Sequence, residues 1–155
     1  SPVAGCAGAK PQNVVVPVGT AYQDILDYVG VKGELGKVVA GGAMMGPAVE
    51  NLSYPTTKTT SGLIMLSEAT AQPPQVNPCI RCGRCVEYCP MGLEPVEVNQ
   101  AYAARDVQEL GKLHVDYCFN CGSCTFVCPA KRPCTQMMGL AKAFYLGEIK
   151  KGGNK

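Results

Sequence analysis

Residues 79–90 read Cys79-Ile80-Arg81-Cys82-Gly83-Arg84-Cys85-Val86-Glu87-Tyr88-Cys89-Pro90, which spaces four cysteines as C-x2-C-x2-C-x3-C before a proline. The same spacing returns in residues 118–129, Cys118-Phe119-Asn120-Cys121-Gly122-Ser123-Cys124-Thr125-Phe126-Val127-Cys128-Pro129. This is the bacterial iron–sulfur pattern, in which the fourth cysteine binds the other cluster of a two-cluster protein. The two motifs together therefore predict two [4Fe–4S] clusters.

The spacing also predicts which cysteines share a cluster. Cysteines at i, i+3 and i+6 can line a tight loop around three corners of a cube, whereas the fourth lies a helical turn further on and points away. We therefore expect two crossed ligand sets: Cys79, Cys82 and Cys85 with Cys128, and Cys118, Cys121 and Cys124 with Cys89. Each iron is then saturated by protein and inorganic sulfur and has no open position for a substrate, which favours an electron relay without catalytic residues.

Two other uses of these cysteines are conceivable. A zinc ribbon needs pairs of C-x2-C that supply four thiolates to one ion, and it leaves Cys85, Cys124 and both Cys-Pro pairs unexplained. A disulfide framework is possible from the number of cysteines alone, but three cysteines within seven residues have poor geometry for bridges between neighbours. The iron–sulfur interpretation is the only one of the three that uses the complete pattern.

The composition limits the class of protein. The chain has 155 residues with Cys 10, Gly 18 and Pro 12, and a formal net charge of +2, which is too small to indicate a nucleic-acid partner. No stretch approaches the ~20 consecutive apolar residues of a membrane helix. Labile thiolate-bound clusters favour a reducing compartment, so a cytoplasmic location is expected. The start at Ser1-Pro2-Val3, without methionine, suggests a piece of something longer.

The chain is expected to have an α+β fold in two parts. A small β-grasp-like module at 1–70 and a Pro-rich linker at 71–78 precede a mostly α-helical two-cluster domain at 79–149 and a disordered tail at 150–155. The module's expected elements are strands at Val14–Val18, Lys37–Ala40 and Leu63–Leu66, and a helix at Ala21–Val29 with a Thr20/Gln23 capping box.

A glycine loop, Gly41-Gly42-Ala43-Met44-Met45-Gly46-Pro47, follows the second expected strand. It lacks both the G-x-G-x-x-G spacing of a dinucleotide site and the Lys-Ser/Thr pair of a P-loop. We therefore interpret it as a tight turn with Met44 and Met45 filling the core.

The two-cluster domain should contain three kinds of helix. A short helix follows each cluster loop, a longer helix at Pro95–Arg105 begins with proline at its first position, and an amphipathic helix at Cys134–Ile149 closes the domain. The segment Asp106–Lys112 should extend or restart the second of these. This long helical gap between the motifs favours a helical domain over the compact bacterial ferredoxin.

Several further side chains carry expectations. Apolar residues beside the cysteines should exclude water: Ile80, Val86, Phe119, Phe126 and Val127. The neighbouring cations could raise a cluster potential or dock an acidic carrier, or could simply be solvated: Arg81, Arg84, Lys131 and Arg132. Cys6 is expected to be a buried small residue, Cys134 a structural thiol at a helix start where its pKa could fall, and His114 a surface residue.

Nearly the whole chain resembles the C subunit of the Rnf electron-transport complex. The cluster part carries the most specific match, from Cys79 to Leu93 and from Cys118 to Lys131. The first part resembles that family's SLBB (soluble-ligand-binding β-grasp) module through Lys10-Pro11-Gln12-Asn13-Val14, Val18-Gly19-Thr20, Gly41-Gly42-Ala43-Met44-Met45-Gly46 and Lys58-Thr59-Thr60-Ser61-Gly62.

The resemblance implies a peripheral protein on the cytosolic face of a membrane complex that couples electron flow between ferredoxin and NAD to sodium or proton transport. Its implied partners are the other subunits and a ferredoxin or flavin-bearing domain. In that family the NADH and flavin site belongs to a domain preceding the SLBB module, and nothing here corresponds to it. We therefore do not expect this chain to oxidise NADH alone.

Two alternative functions remain open at this point. The cobalamin reductase of bacterial microcompartments shares the layout of an SLBB module followed by two clusters, although the regular second motif and Met91-Gly92-Leu93 fit the Rnf family better. The first part could also be a binding module, with the clusters acting only as structural staples.

Overall fold

The computed structural model describes residues 1–152, which fall into two units, Ser1–Pro73 and a second that begins at Pro74. The division lies within the Pro-rich segment 71–78. The first unit holds a four-stranded sheet and two helices, and the second is built from helices and loops, with no strand among its described residues. The expected mixed α+β class, with a helical cysteine-rich part, is confirmed.

The sheet of the first unit has the strand order β2-β1-β4-β3. Its outer pairs are antiparallel, whereas β1 and β4 run parallel with Val3 opposite Leu63. A bulge between Leu35 and Lys37 interrupts the β3–β4 ladder. The strands are β1 Pro2–Ala4, β2 Gln12–Asn13, β3 Leu35–Ala40 and β4 Leu63–Ser67, so the two strands expected around residues 38 and 64 are confirmed.

One helix supplies much of the core of this unit. Helix α1, Tyr22–Val29, buries Ile25, Leu26 and Val29 on one face, as their helical spacing requires. A short helix α2, Glu68–Ala71, follows β4. The core joins the buried face of α1 to apolar residues of the strands and nearby loops: Val3, Ala7, Val14, Tyr22, Ile25, Leu26, Val29, Val38, Leu63 and Met65.

The expected strand at Val14–Val18 is wrong. Val14 is buried and still exchanges backbone hydrogen bonds with Ser1, but beyond it Val15 is fully exposed and Pro17 lacks an N–H for a ladder. The β-branched run is an irregular segment rather than a strand. The Thr20/Gln23 capping box is also absent, because Thr20 Oγ1 donates to Pro17 O at 2.8 Å and Gln23 Nε2 donates to Asp27 Oδ1 at 2.8 Å.

The glycine loop after β3 is a turn, but its methionines do not fill the core. Met44 is 48% exposed and Met45 is 59% exposed. Gly46 approaches the end of β3 so closely that a Cβ on it would lie 2.7 Å from Ala40 O. The loop therefore folds back on the strand through its glycine backbone and leaves both methionine side chains outside.

The second unit packs its longer helices around one core. The helices at Pro95–Ala103 and Val107–Lys112 and a 3₁₀ turn at Val115–Tyr117 all contact the helix at Cys134–Gly152. The helices are α3 Arg84–Glu87, α4 Pro95–Ala103, α5 Val107–Lys112, α6 Ser123–Phe126 and α7 Cys134–Gly152. The buried core between them contains Leu93, Val98, Ala101, Leu110, Val115, Met138 and Ala141.

The expected helices of this unit are confirmed with changed ends. Pro95 begins α4, which ends at Ala103, and α5 restarts after Asp106 because the Asp106 carboxylate accepts a hydrogen bond from Glu109 N at 2.9 Å. Helix α7 runs to Gly152, three residues beyond its expected end. Of the expected tail, 150–152 is thus helical, and 153–155 lies outside the described residues.

Candidate metal centres

The two cysteine loops have the same backbone conformation. Arg81 and Asn120, each placed just before the second cysteine of a motif, have φ of 53° and 56°. Gly83 and Gly122, each just after that cysteine, have φ of 76° and 88° and precede α3 and α6. Alternation of left- and right-handed residues turns successive N–H groups toward a common concavity, which suits anionic sulfur. The internal repeat seen in the sequence is therefore also a repeat of structure.

Four of the expected ligands line one cavity of about 240 Å³. Cys79, Cys82 and Cys85 come from the first loop, and Cys128 comes from the second motif. Cys79 and Cys82 are exposed and Cys85 is buried, so the cavity opens on one side. A Cβ built on Gly83, which also lines this cavity, would meet no heavy atom within 4 Å. At Gly83 the cavity is therefore lined by backbone atoms alone, with space left in front of them.

The other four expected ligands line a second, narrower cavity of about 20 Å³. Cys118, Cys121 and Cys124 come from the second loop, and Cys89 comes from the first motif. Each cavity thus brings together three cysteines of one motif and the fourth cysteine of the other.

The thiols surround these cavities without converging on a point. Among residues 1–152, no group of three or more His, Cys, Asp or Glu side chains could hold a single metal ion. A zinc site requires four ligands around one ion, whereas each cysteine of an iron–sulfur cube binds a different iron. Soft thiolate ligands are also those that iron–sulfur clusters select. The donor type fits a [4Fe–4S] cluster.

Backbone and hydroxyl groups hold the cysteine loops in place. The N–H of Arg81 donates to Cys79 Sγ at 3.4 Å, and the N–H of Leu93 donates to Cys89 Sγ at 3.3 Å. Thr125 Oγ1 accepts from Thr135 N at 2.8 Å, which ties α6 to the first turn of α7. Lys142 Nζ donates to the carbonyl of Cys118 at 2.7 Å. Three of these contacts depend on residues outside the motifs, Leu93, Thr135 and Lys142, which the cysteine spacing does not indicate.

Burial raises the pKa of the Cys85 and Cys124 thiols, and neighbouring thiols add to the effect. Cys134 is only 4% exposed, and burial together with Cys128, Cys124 and Cys85 raises its pKa to about 12. The helix start therefore does not lower the Cys134 pKa, since desolvation by burial outweighs it. Thiols of this kind bind metal as thiolates, so loading the site with metal must release protons.

The expectation that apolar neighbours exclude water is wrong for four of the five residues. Ile80 is 67% exposed, Val86 39%, Phe119 51% and Phe126 75%; Val127 is half-buried. Ile80 still lines the first cavity, but solvent reaches its side chain and those of Val86, Phe119 and Phe126. Of the four neighbouring cations, Arg81, Arg84 and Arg132 line the first cavity, and Lys131 is exposed.

Of the remaining candidate residues, Cys6 and Cys134 lie in surroundings different from those expected. Cys6 is exposed, not buried, because it precedes the buried Ala7 and points toward hydroxyls of Ser67 and Thr70. Cys134, expected to be structural, lines the first cavity beside the four expected ligands. The only sequence signal for this is its place six residues after Cys128. His114 is exposed as expected and stacks on Tyr117.

No helix within the described part of the chain has the length and apolar character that a membrane crossing requires. Residues 78–131 match the family model of the 4Fe–4S dicluster domain, which confirms the expected pair of [4Fe–4S] clusters. The matched region contains all eight cysteines of the two motifs.

Three similar proteins are each named as the C subunit of a translocating oxidoreductase complex. The chain is 37% identical over 112 residues to the C subunit of the ion-translocating oxidoreductase complex of Rhodobacter capsulatus, covering 72% of this chain and 22% of that protein. It is 40% identical over 94 residues (60% and 21%) to the C subunit of the proton-translocating ferredoxin:NAD(+) oxidoreductase complex of Clostridium ljungdahlii. It is 35% identical over 104 residues (66% and 23%) to the C subunit of the Na(+)-translocating ferredoxin:NAD(+) oxidoreductase complex of Acetobacterium woodii. The chain spans about a fifth of the length of these curated relatives.

Proposed function

Because the chain is a relative of the C subunits of the ion-translocating oxidoreductase complexes, we propose that it carries single electrons for such a complex. Two [4Fe–4S] clusters, when bound, accept and release one electron each. The chain's own residues bind the clusters, set their surroundings and bring them close together. The observation that carries the proposal is the pair of cavities that each combine cysteines of both motifs.

The proposed ligands are the crossed sets expected from the spacing. Cys79, Cys82, Cys85 and Cys128 hold the first cluster. The second set is Cys118, Cys121, Cys124 and Cys89. Because all of these are protein thiolates, no iron is left for a substrate, which supports relay rather than chemistry on a bound molecule.

The cysteines between the two cavities support rapid electron transfer from one cluster to the other. Cys85 and Cys124 belong to one buried apolar cluster, and Cys128 packs against it. Two of these three line the first cavity and one lines the second. Helices α3 and α6, which carry Cys85 and Cys124, contact each other. Ligands of the two proposed clusters are thus neighbours in a dry interior, which shortens the path for an electron.

Three cations suit the entry of electrons at the first cavity. Arg81, Arg84 and Arg132 line it, and its exposed side carries Cys79 and Cys82. Positive charge beside a cluster raises its reduction potential. It also attracts an acidic protein. We infer that a ferredoxin or a flavin-bearing domain exchanges electrons here.

The first unit is proposed to be an SLBB-type β-grasp module. Its four-stranded sheet with α1 packed on it has a core made entirely of its own residues. We infer further that the chain acts peripherally on the cytosolic side of a membrane, beside other subunits of the complex. It is not expected to oxidise NADH by itself.

An anaerobic redox titration tests the function. Protein reconstituted with iron and sulfide should bind about eight irons per chain, as two four-iron clusters require. Low-temperature EPR should show two reversible one-electron reductions, with signals broadened by interaction between neighbouring clusters. Bound zinc in place of iron, or clusters that cannot be reduced reversibly, would contradict electron transfer and favour structural clusters. Binding to microcompartment shell proteins would instead favour the cobalamin-reductase alternative.

A further inference from the structure

The two cluster cavities differ in their number of cysteines. The second cavity is lined by four, Cys89, Cys118, Cys121 and Cys124. The first cavity is lined by its four proposed ligands and, in addition, by Cys134. The two cavities differ in charge as well, since only the first is lined by arginines, but this fifth thiol is the one difference in potential cluster ligands.

Cys134 is built into the interior rather than lying at the edge of the cavity. Only 4% of it is exposed, and it forms one buried cluster with Cys85 and Cys124, against which Cys128 packs. Cys134 therefore packs with a proposed ligand of each cluster, Cys85 of the first and Cys124 of the second, and it also lines the first cavity. Apolar packing alone does not require a sulfur at this position.

The chain around Cys134 holds it beside Cys128. The N–H of Lys131 donates to the carbonyl of Cys128 at 3.2 Å, and the N–H of Cys134 donates to Arg132 O at 2.8 Å. The next residue, Thr135, is tied through its N–H to Thr125 Oγ1 at 2.8 Å. The segment from Cys128 to Cys134 is thus a short turn held by backbone hydrogen bonds. The cysteines at its two ends both line the first cavity.

We propose that Cys134 is a reserve ligand of the first cluster. When the Cys128 sulfur is removed or chemically blocked, the Cys134 thiol binds the iron that Cys128 held. Its S–H proton passes to solvent as the S–Fe bond forms, and no electron is exchanged. The proposal rests on the proposed function only in assuming that two clusters are present.

The two motifs provide a matched test. Cys128 and Cys89 are both fourth cysteines, but only the cavity of Cys128 contains a fifth. Anaerobically reconstituted C128A should keep about eight irons per chain and two four-iron EPR signals. C89A should lose a four-iron centre, which leaves a three-iron signal or about four irons. The double variants C128A/C134A and C128A/C134S should then behave like C89A.

Three results would overturn the reserve role. They are a three-iron signal in C128A, equal retention of clusters in C128A and C128A/C134S, and loss of the first cluster in C134A alone. The serine variant keeps the size of the side chain, so it decides the question if C128A/C134A does not fold, and far-UV circular dichroism reports folding for each protein. Wild-type protein without two clusters would instead refute the proposed function, whatever the variants show.

Discussion

The Cys6 thiol lies on the surface of the first unit, next to two hydroxyl groups. Its Sγ atom is 3.5 Å from Ser67 Oγ and 3.0 Å from Thr70 Oγ1, and it accepts a hydrogen bond from the N–H of Ser67 at 3.3 Å. Hydrogen bonds from Ser67 and Thr70 stabilise the thiolate and lower the pKa of Cys6 to about 7. Cys6 is therefore the thiol outside the motifs that solvent reagents should reach most easily.

Alkylation should reveal this lowered pKa. In holoprotein, where iron should protect the proposed ligand cysteines, the rate of Cys6 carbamidomethylation should reach half its maximum near pH 7. S67A removes the hydroxyl that lowers the Cys6 pKa most, so the midpoint should move up toward the ~8.5 of an ordinary thiol. Mass spectrometry of the peptide measures the rate. S53A removes an exposed hydroxyl that makes no contact with Cys6, and an equal shift in S53A would contradict the proposed cause.

Arg105 connects two helices through aromatic rings. Its guanidinium carbon lies 4.8 Å from the centre of the Tyr102 ring and 4.9 Å from that of the Phe144 ring, and the two rings meet edge to face. Sequence reasoning placed Arg105 within a helix, but its φ of 56° ends α4 and turns the side chain back over the rings.

R105A should lower the free energy of unfolding of the second unit by about 1 kcal/mol, the usual size of an exposed cation–π contact. Urea unfolding of the holoprotein, followed by circular dichroism, measures the change. K112A is the matched control, because the Lys112–Glu109 ion pair joins side chains that are 73% and 43% exposed. Such surface pairs contribute little, so a loss in K112A as large as that in R105A would contradict the role of the rings.

At the scale of elements, a strand was predicted correctly where its own residues determine it and wrongly where its pairing partner does. The strands β3 and β4 were predicted because each contains a run of apolar residues. In the structure the two strands pair with each other. The run Val14–Val18 has equal β-propensity, yet β1 pairs with Gln12–Asn13 before it. Propensity measures fit to a pleated surface, but the neighbouring strand decides which residues form that surface.

The start of α5 offers a test of an element by itself. Asp106 accepts a hydrogen bond from Glu109 N at 2.9 Å and is the N-cap of the helix. D106A should weaken the helix by about 1 kcal/mol, which corresponds to about fivefold faster hydrogen exchange at the amides of α5. D106N, which keeps a capping oxygen, should change exchange little. Equal acceleration in both variants would show that the charge, rather than the cap, stabilises the helix.

At the scale of the whole molecule, the two units draw on different sources of stability. The core of the first unit is apolar and contains only its own residues. In the second unit, α3 and α6 each span four residues, far fewer than an isolated helix needs. Tertiary contacts such as that of Thr135 N with Thr125 Oγ1 support them, and metal bound by the proposed ligand cysteines would add to this, as in other small metallo-domains.

Removal of iron should therefore affect the units unequally. After anaerobic chelation, hydrogen exchange should accelerate strongly in residues 79–131, while the amides of β3 and β4 stay protected. Exchange measured by mass spectrometry on intact holo and apo chains tests this directly. Zinc-free buffer is needed, since zinc could bind the free thiols. Simultaneous loss of protection in the sheet would contradict independent stability.

The cysteine spacing alone determined the cluster type, the repeated loops and the short helices after them, because these features depend on residues within one or two turns of each other. The helices from Pro95 onward were also predictable from local signals. Only the tertiary structure decided that Cys134 lines the first cavity, that Cys6 is exposed, and that β1 pairs in parallel with β4, where Val3 meets Leu63. Burial and strand neighbours arise from contacts between distant parts of the chain, which no local pattern encodes.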